Sequence, residues 1–260
     1  MKKITLLIAV ILWLATHVHA QEFKTKLANS KDQKVLIEMN ASEITIEGTN
    51  SDEISIVASS KIDPLPERAK GLKPVYFGVE DNTGIGLSVT KEDGATKIEK
   101  AVRKSIKYTI RIPKKVNVKF QETNWQGGSS LSISNMDGDL EVSTLSADID
   151  LLRVTGPIVA NSTSGSIKVV YENLNQAKPS AISTISGSID VSLPASVKSS
   201  LSLQTINGEI YTDFDLGLKN EKNGMSKISM GNTVKGATNG GGVEIQLNTI
   251  SNNIYIRKQK

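Results

Sequence analysis

The sequence predicts an all-β protein folded as a β-solenoid, a right-handed β-helix-like stack of short strands. Three observations predict this fold class. A short phrase occurs six times, its copies are spaced at roughly the length of one solenoid coil, and apolar and polar residues alternate with period two around them. A twisted β-sandwich is the alternative, because short alternating strands separated by turn residues fit that fold too.

The repeated phrase reads hydroxyl residue (Asn in the first copy), apolar, small polar, Gly or a substitute, any residue, Ile or Leu, any residue, apolar. Its copies are residues 135–142, 144–151, 162–169, 184–191, 205–212 and 249–256. The aligned Ile or Leu positions lie 9, 18, 22, 21 and 44 residues apart. A period near 20 is typical of solenoid repeats, and the last interval is close to two periods.

Each position of the phrase carries a structural expectation. The Ile or Leu and the apolar residue two positions later share a strand face, which we predict to be the interior. We expect the residue four positions before the Ile or Leu to face the same interior; these residues are Met136, Leu145, Thr163, Ile185, Ile206 and Ile250. We interpret the Gly or Asn between them as a left-handed turn or a bulge, a rule that Ala147 breaks. The hydroxyls can bond along the stack; they belong to Thr144, Ser162, Thr184, Thr205 and Thr249.

The first twenty residues have the pattern of a secretion signal. Lys2 and Lys3 are followed by an apolar run over 4–15 and by small residues at Val18 and Ala20. The run is too short for a membrane span of about 20 residues. We therefore expect an exported protein, periplasmic or at the cell surface, that begins at Gln21 and has no transmembrane span.

Removal of this signal limits the chemistry of the mature chain. His17 and His19 are the two histidines of the sequence, and there is no Cys. This excludes His-based and Cys-based catalysis and metal sites, so we expect no cofactor. The formal net charge falls from +4 to +2, which is too mild to favour nucleic acid as a partner.

Residues 21–260 are predicted to form one domain. Alternation predicts strands at 35–39, 43–48 and 53–57, and again from Ile106 onward. Residues 61–104 are less regular and are interpreted as an inserted arm, with strands at 75–79 and 85–90 and a helical turn at 97–103. Residues 110–116 and 191–197 share the pattern apolar, any, apolar, Pro, any, any, Val, which indicates a longer-range repeat.

Acidic residues cluster in the first two copies of the phrase. If Asp137, Asp139, Asp148 and Asp150 stack on one face, their oxygens can bind Ca²⁺. The spacing matches no EF-hand loop, and a solvated strand face is the simpler interpretation of these residues.

A basic stripe runs from Lys97 to Lys119 with Glu99 as its one acid. It is a candidate contact surface for phosphate groups or an anionic polysaccharide, and a solvated outer face is the alternative. Its candidate ligand residues are Lys104, Lys107, Arg111, Lys114 and Lys115. Trp125, in a Gly-rich loop, can stack on a sugar ring or cap one end of the core.

The succession of phrases resembles an adhesin-like domain family of bacterial envelope proteins, particularly of the Bacteroides type. The resemblance covers residues 40–58 and 106–257, including the motif at 186–191 and the ending at 240–256. It implies an exported, all-β, β-helix-like protein and supplies no catalytic residues. Asn252 and Asn253 depart from the glycine that is usual there.

We therefore expect a non-enzymatic envelope protein, an adhesin or scaffold that binds a cell-surface glycan or an envelope protein as a monomer. One alternative is a carboxylate-dependent polysaccharide lyase or hydrolase in which the four aspartates converge in a groove. Another is an accessory protein of envelope signalling that uses the basic stripe as its contact surface.

Overall fold

This computed structural model describes residues 21–28, 33–39, 43–62, 66–72, 78–125, 129–217 and 233–259. Within those residues the chain forms twenty β-strands and one 3-10 turn, Glu67–Ala69. The strands are β1 Gln21–Lys26, β2 Lys34–Met39, β3 Glu43–Thr49, β4 Glu53–Ala58, β5 Leu87–Glu92, β6 Ala95–Lys100, β7 Tyr108–Pro113, β8 Asn117–Glu122, β9 Ser130–Met136, β10 Leu140–Thr144, β11 Asp148–Val154, β12 Ile158–Ser162, β13 Ile167–Tyr171, β14 Ser180–Thr184, β15 Ile189–Leu193, β16 Ser199–Thr205, β17 Ile210–Thr212, β18 Val234–Thr238, β19 Val243–Thr249 and β20 Ile254–Lys258.

The strands are divided equally between two sheets. Sheet A has the order β1-β4-β7-β3-β9-β11-β13-β15-β20-β17, and sheet B has the order β18-β16-β19-β14-β12-β10-β8-β2-β6-β5. From β6 to β17, and again for β2/β3 and β19/β20, one strand of sheet B is followed by one strand of sheet A to complete a coil. The predicted all-β, solenoid-like stack of short strands is therefore confirmed.

Parallel, in-register pairing between coils builds the core. Ile149, Ile167, Ile189 and Ile254 are aligned in adjacent strands of sheet A, and all four are buried. Because alternate residues of a strand point to opposite faces, each coil sends one apolar row inward and one polar row outward. The predicted interior position of the Ile or Leu is therefore confirmed. The first copy lies in sheet B, so its interval of nine residues is half a coil.

Two coils are stacked out of chain order. The coil β2/β3 lies between β6/β7 and β8/β9, and the coil β19/β20 lies between β14/β15 and β16/β17. The connections β7 to β8 and β15 to β16 must each pass over one layer. In both, a Val amide donates to a Pro carbonyl: Val116 N to Pro113 O at 3.1 Å and Val197 N to Pro194 O at 3.0 Å. The longer-range repeat at 110–116 and 191–197 therefore marks the connections that skip a layer.

The glycines of the phrase serve a different purpose from the one predicted. The positive-φ glycines of the described residues do not include those at positions 138, 165, 187 and 208, so the interpretation as left-handed turns is wrong. A Cβ built at Gly187 would lie 2.0 Å from the carbonyl oxygen of Gly165, and one at Gly165 would lie 2.0 Å from that of Ala147. Glycine is needed because the corners of adjacent coils pack backbone against backbone.

Hydroxyl groups bond along this corner, as predicted. The Thr144 hydroxyl bonds to Ser162 Oγ at 3.0 Å, and those of Thr184 and Thr249 donate to glycine carbonyls of the preceding coil at 3.0 Å. Within a coil, the Gly165 amide donates to Ser162 Oγ at 2.9 Å and the Gly187 amide donates to Thr184 Oγ1 at 3.2 Å. These bonds satisfy buried polar groups of the corner.

The corner at Ala147 is built around a carboxylate. Glu122 has an exposed fraction of 6% and accepts hydrogen bonds from the amides of Leu145, Ser146 and Ala147 at 2.7, 2.9 and 3.3 Å. The corner between β10 and β11 is therefore stabilised by the Glu122 side chain of the adjacent strand β8. This explains why the second copy of the phrase has Ala147 where the following copies have glycine.

Two further expectations are corrected. Ile185, Ile206 and Ile250 have exposed fractions of 47, 43 and 41%, so the predicted interior position is wrong for these copies; it holds for Met136. The helical turn expected at 97–103 is also wrong, because β6 runs through Lys100 and pairs with β2 and β5. The strand expected at 75–79 falls largely on residues outside the described ranges.

Candidate functional site

The basic stripe is paired with acids contributed by neighbouring coils. Lys107 Nζ lies 2.5 Å from Glu43 Oε2 and Arg111 Nε lies 3.0 Å from Glu47 Oε2. Lys114 Nζ lies 3.5 Å from an oxygen of Asp137. Glu43, Glu47 and Asp137 lie outside residues 97–119 in the sequence, and strand pairing between coils brings them next to the stripe. The stripe is thus interleaved with negative charge, and its exposed ion pairs contribute little to stability.

The remaining candidates of the basic zone are dispersed. Lys104 Nζ donates to the carbonyl of Lys61 at 3.4 Å, and Lys115 is exposed in the turn between β7 and β8. Trp125 has an exposed fraction of 54%, so it does not cap the core as one interpretation expected. Its ring is open to solvent beside residues that lie outside the described ranges.

The structure does not bring the four candidate aspartates together. Asp137 and Asp139 lie in the turn between β9 and β10, where Asp137 accepts from Thr155 Oγ1 at 3.0 Å. Asp148 and Asp150 project outward from β11 in sheet A, and Asp148 accepts the Ser166 amide at 2.8 Å. Among the described residues no group of three or more acidic side chains is arranged to hold a metal ion.

Asp139 instead lines a groove of about 430 Å³ on the outer face of sheet B. Lys178 Nζ lies 2.8 Å from Asp139 Oδ2, and Lys34 Nζ lies 3.8 Å from Glu141 Oε2. Val159 is exposed and contributes an apolar part of the lining. The groove is therefore amphipathic, and its opposite charges are already paired with each other.

A second candidate surface lies on the outer face of sheet A. We call it the tyrosine patch and define it as Tyr211, Tyr255, Arg257 and Asp190. The two rings are stacked with centroids 5.4 Å apart and an interplanar angle of 10°. They meet because β17 and β20 pair in parallel with Tyr211 opposite Tyr255. A recess of about 260 Å³ lies beside the rings.

Charged groups fix one side of the tyrosine patch. The guanidinium of Arg257 lies 5.2 Å from the Tyr255 centroid, and its Nε lies 3.0 and 3.1 Å from the two oxygens of Asp190. The hydrogen bond to Asp190 raises the pKa of Arg257. The Arg is therefore held over the ring by an ion pair, an arrangement typical of cation–π contact.

The phenol of Tyr211 is also engaged. It donates to Glu209, and this hydrogen bond raises the pKa of Tyr211. The hydroxyl of Tyr255 accepts from Asn253 Nδ2 at 3.1 Å. Both rings are thus oriented by polar contacts at their tips while Tyr211 keeps an exposed fraction of 47%.

Sequence reasoning did not find the tyrosine patch. Its signal was present, because Tyr follows the aligned Ile in the last two copies of the phrase, at 210–211 and 254–255. Tyr108 and Tyr171, by contrast, are buried, and their hydroxyls contact Ile85 O and Ser180 Oγ. In a chain with 4% aromatic residues, a pair of outward tyrosines is distinctive.

The fold and these surfaces define a two-sheet β-solenoid with exposed outer faces. The chain belongs to the Toastrack DUF4097 family, which matches residues 117–257, more than half of the sequence. This membership confirms the family resemblance drawn from the phrases. No curated protein matches the chain. Among the described residues no helix is long and apolar enough to cross a membrane.

Three solved structures are similar over most of their length. A candidate cell adhesion protein from Clostridium sporogenes is 11% identical with a TM-score of 0.44, over 92% of this chain and 100% of its own. A candidate adhesin from Bacteroides fragilis is 11% identical with a TM-score of 0.37, over 92 and 97%. A candidate lipid binding protein from Parabacteroides distasonis is 15% identical with a TM-score of 0.28, over 94 and 98%.

Proposed function

We propose that this protein is an exported, non-enzymatic binding module of the bacterial cell envelope that docks a glycan or protein partner on its tyrosine patch. The observation that carries the proposal is the stacked pair of Tyr211 and Tyr255 beside Arg257. Tyr and Arg are the residue types enriched where partners contribute most binding energy, because they offer large rigid area and polar tips.

The scaffold supports this role. Both rings stand on paired strands of a sheet with a single buried core, so little side-chain freedom is lost when a partner binds. A binding role also accords with three acids of the candidate enzyme site: Asp137 and Asp139 are ion-paired with lysines, and Asp148 accepts a backbone amide. The signal-like segment at 1–20 supports export.

Cell fractionation, followed by capture with purified protein from envelope extract, tests the proposal. We expect the protein in the periplasmic or surface fraction. We expect the double variant Tyr211→Ala, Tyr255→Ala to bind its partner at least about tenfold more weakly, because the truncation removes an aromatic anchor.

Leu72→Ala is the matched control, since Leu72 is an exposed apolar side chain far from the patch in sequence, with an exposed fraction of 65%. It should capture the same partner with unchanged affinity. The proposal fails if the protein fractionates with the cytoplasm, or if the tyrosine variant and the control capture partners equally well.

A further inference from the structure

A second feature of the surface is a straight row of uncharged polar side chains along sheet B. We call it the amide strip and define it by its members, one from each of six neighbouring strands: Gln121, Ser143, Asn161, Ser183, Asn248 and Gln204. Each member is directly opposite the next in the strand register. Since paired strands lie about 4.8 Å apart, the row is about 24 Å long.

The row continues across a coil that is out of chain order. Ser183 on β14 is opposite Asn248 on β19, and Asn248 is opposite Gln204 on β16. The Ser183 hydroxyl donates to Asn161 Oδ1 at 2.5 Å, so neighbouring members can bond to one another. Gln121, Ser143 and Asn161 are exposed to solvent.

The row beside the strip is also uncharged over the last four strands. Its members, two residues before those of the strip, are Val159, Ala181, Gln246 and Ser202. On β6, β2 and β8 the same face carries Lys97, Glu38 and Lys119 instead. The outer face of sheet B therefore has a charged half and a neutral half, in a chain whose charged residues make up 22%. The neutral half consists of these two rows over β12, β14, β19 and β16, and it is bounded by Glu141 on β10 and Lys235 on β18.

The chemistry of the strip selects its ligand. Amides offer both donors and acceptors, and hydroxyls do the same, so the strip matches a ligand whose own groups are both donors and acceptors. A phosphate or carboxylate ligand would meet no cation among the side chains of these two rows; Lys178, beside Val159 and paired with Asp139, and Lys235, opposite Ser202, lie at their ends. The strip presents one polar side chain per strand, about 4.8 Å apart. This spacing suits an extended oligosaccharide in which each sugar ring lies over one strand.

We propose that the amide strip binds an extended, neutral oligosaccharide along the axis of the solenoid. This inference goes beyond the proposed function, because it assigns a second ligand site that is distinct from the tyrosine patch. Because the strip has six members, affinity rises with the number of sugar rings and levels off at about six, where the strip is fully covered.

Calorimetric titration with cellohexaose and β-1,4-linked mannohexaose, and with the corresponding disaccharides and tetrasaccharides, tests the proposal. An oligogalacturonate of six units is the anionic counterpart. We expect at least one neutral series to bind with affinity that increases with length, and the anionic hexamer to bind at least tenfold more weakly.

The double variant Asn161→Lys, Asn248→Lys places cations on either side of Ser183, and we expect it to weaken neutral-sugar binding at least tenfold. Ser132→Lys is the matched control, because it adds a lysine at an outward strand position of sheet A. It should leave binding unchanged. Circular dichroism is used to check that each variant is folded.

The inference is overturned if no neutral oligosaccharide binds, if the anionic hexamer binds as well, or if the double variant binds like the control. It is also overturned if the double variant changes the oligomeric state in light scattering, because the strip would then be an interface between two copies. None of these results bears on the proposed function. If capture from envelope extract still depends on the tyrosine patch, the proposed function stands even when the amide strip binds no sugar.

Discussion

Glu122 is expected to stabilise the corner at Ala147 through its carboxylate. Two of its backbone hydrogen bonds, to Leu145 N and Ser146 N, measure 2.7 and 2.9 Å. Hydrogen bonds to a charged group contribute about 1.5–3 kcal/mol each. Leu145 and Ser146 are half-buried, so water can replace the lost carboxylate as acceptor for part of the hydrogen-bond free energy. The lower end of that range, about 1.5 kcal/mol for each bond, therefore applies. Glu122→Ala should therefore lower the free energy of unfolding by about 3 kcal/mol.

Urea denaturation followed by circular dichroism measures this change. Glu122→Gln keeps one acceptor oxygen but loses the charge, so it should cost about half as much as Glu122→Ala. Gln121→Ala, the exposed neighbour on the same strand, is the control and should fall within about 0.5 kcal/mol of the parent. A loss below about 1 kcal/mol for Glu122→Ala would refute the assigned role.

Three other changes test the corner and the buried lysine. Gly187→Ala should cost about 3 kcal/mol because its Cβ would meet a carbonyl at 2.0 Å, whereas Gly78→Ala, with open space around it, should be neutral in the same urea assay. Thr184→Val keeps the shape of the side chain but deprives the buried Gly187 amide of its acceptor. The free energy of unfolding should therefore fall by about 2 kcal/mol, and an unchanged urea midpoint would contradict this expectation. Burial lowers the pKa of Lys100 from 10.5 to about 8. Between pH 8 and 10.5 the unfolded chain therefore binds more protons than the folded chain, and the free energy of unfolding should rise with pH in this range. Lys100→Met should abolish that rise, measured as urea midpoints across the same pH range.

The candidate site was predictable only in part. The alternation that places residues such as Asn161 and Tyr255 on an outward face can be read from the phrase, because strand side chains alternate with period two. Which outward residues become neighbours depends on the order of coils. The basic stripe shows the consequence: Lys107 and Arg111 have no acidic neighbour in the sequence, yet Glu43 and Glu47 come to lie beside them when β3 pairs with β7.

The sequence by itself determined the all-β class, the coil length and the inward position of the aligned Ile or Leu, because these follow from a local period of hydrophobicity. It also contained the Pro and Val pattern of the two layer-skipping connections, without their meaning. Only the tertiary structure decided that β2/β3 and β19/β20 insert between coils that are consecutive in the chain. Strand insertion depends on long-range backbone pairing, which has no local period. That insertion, with β19 placed between β14 and β16, is what completes the amide strip.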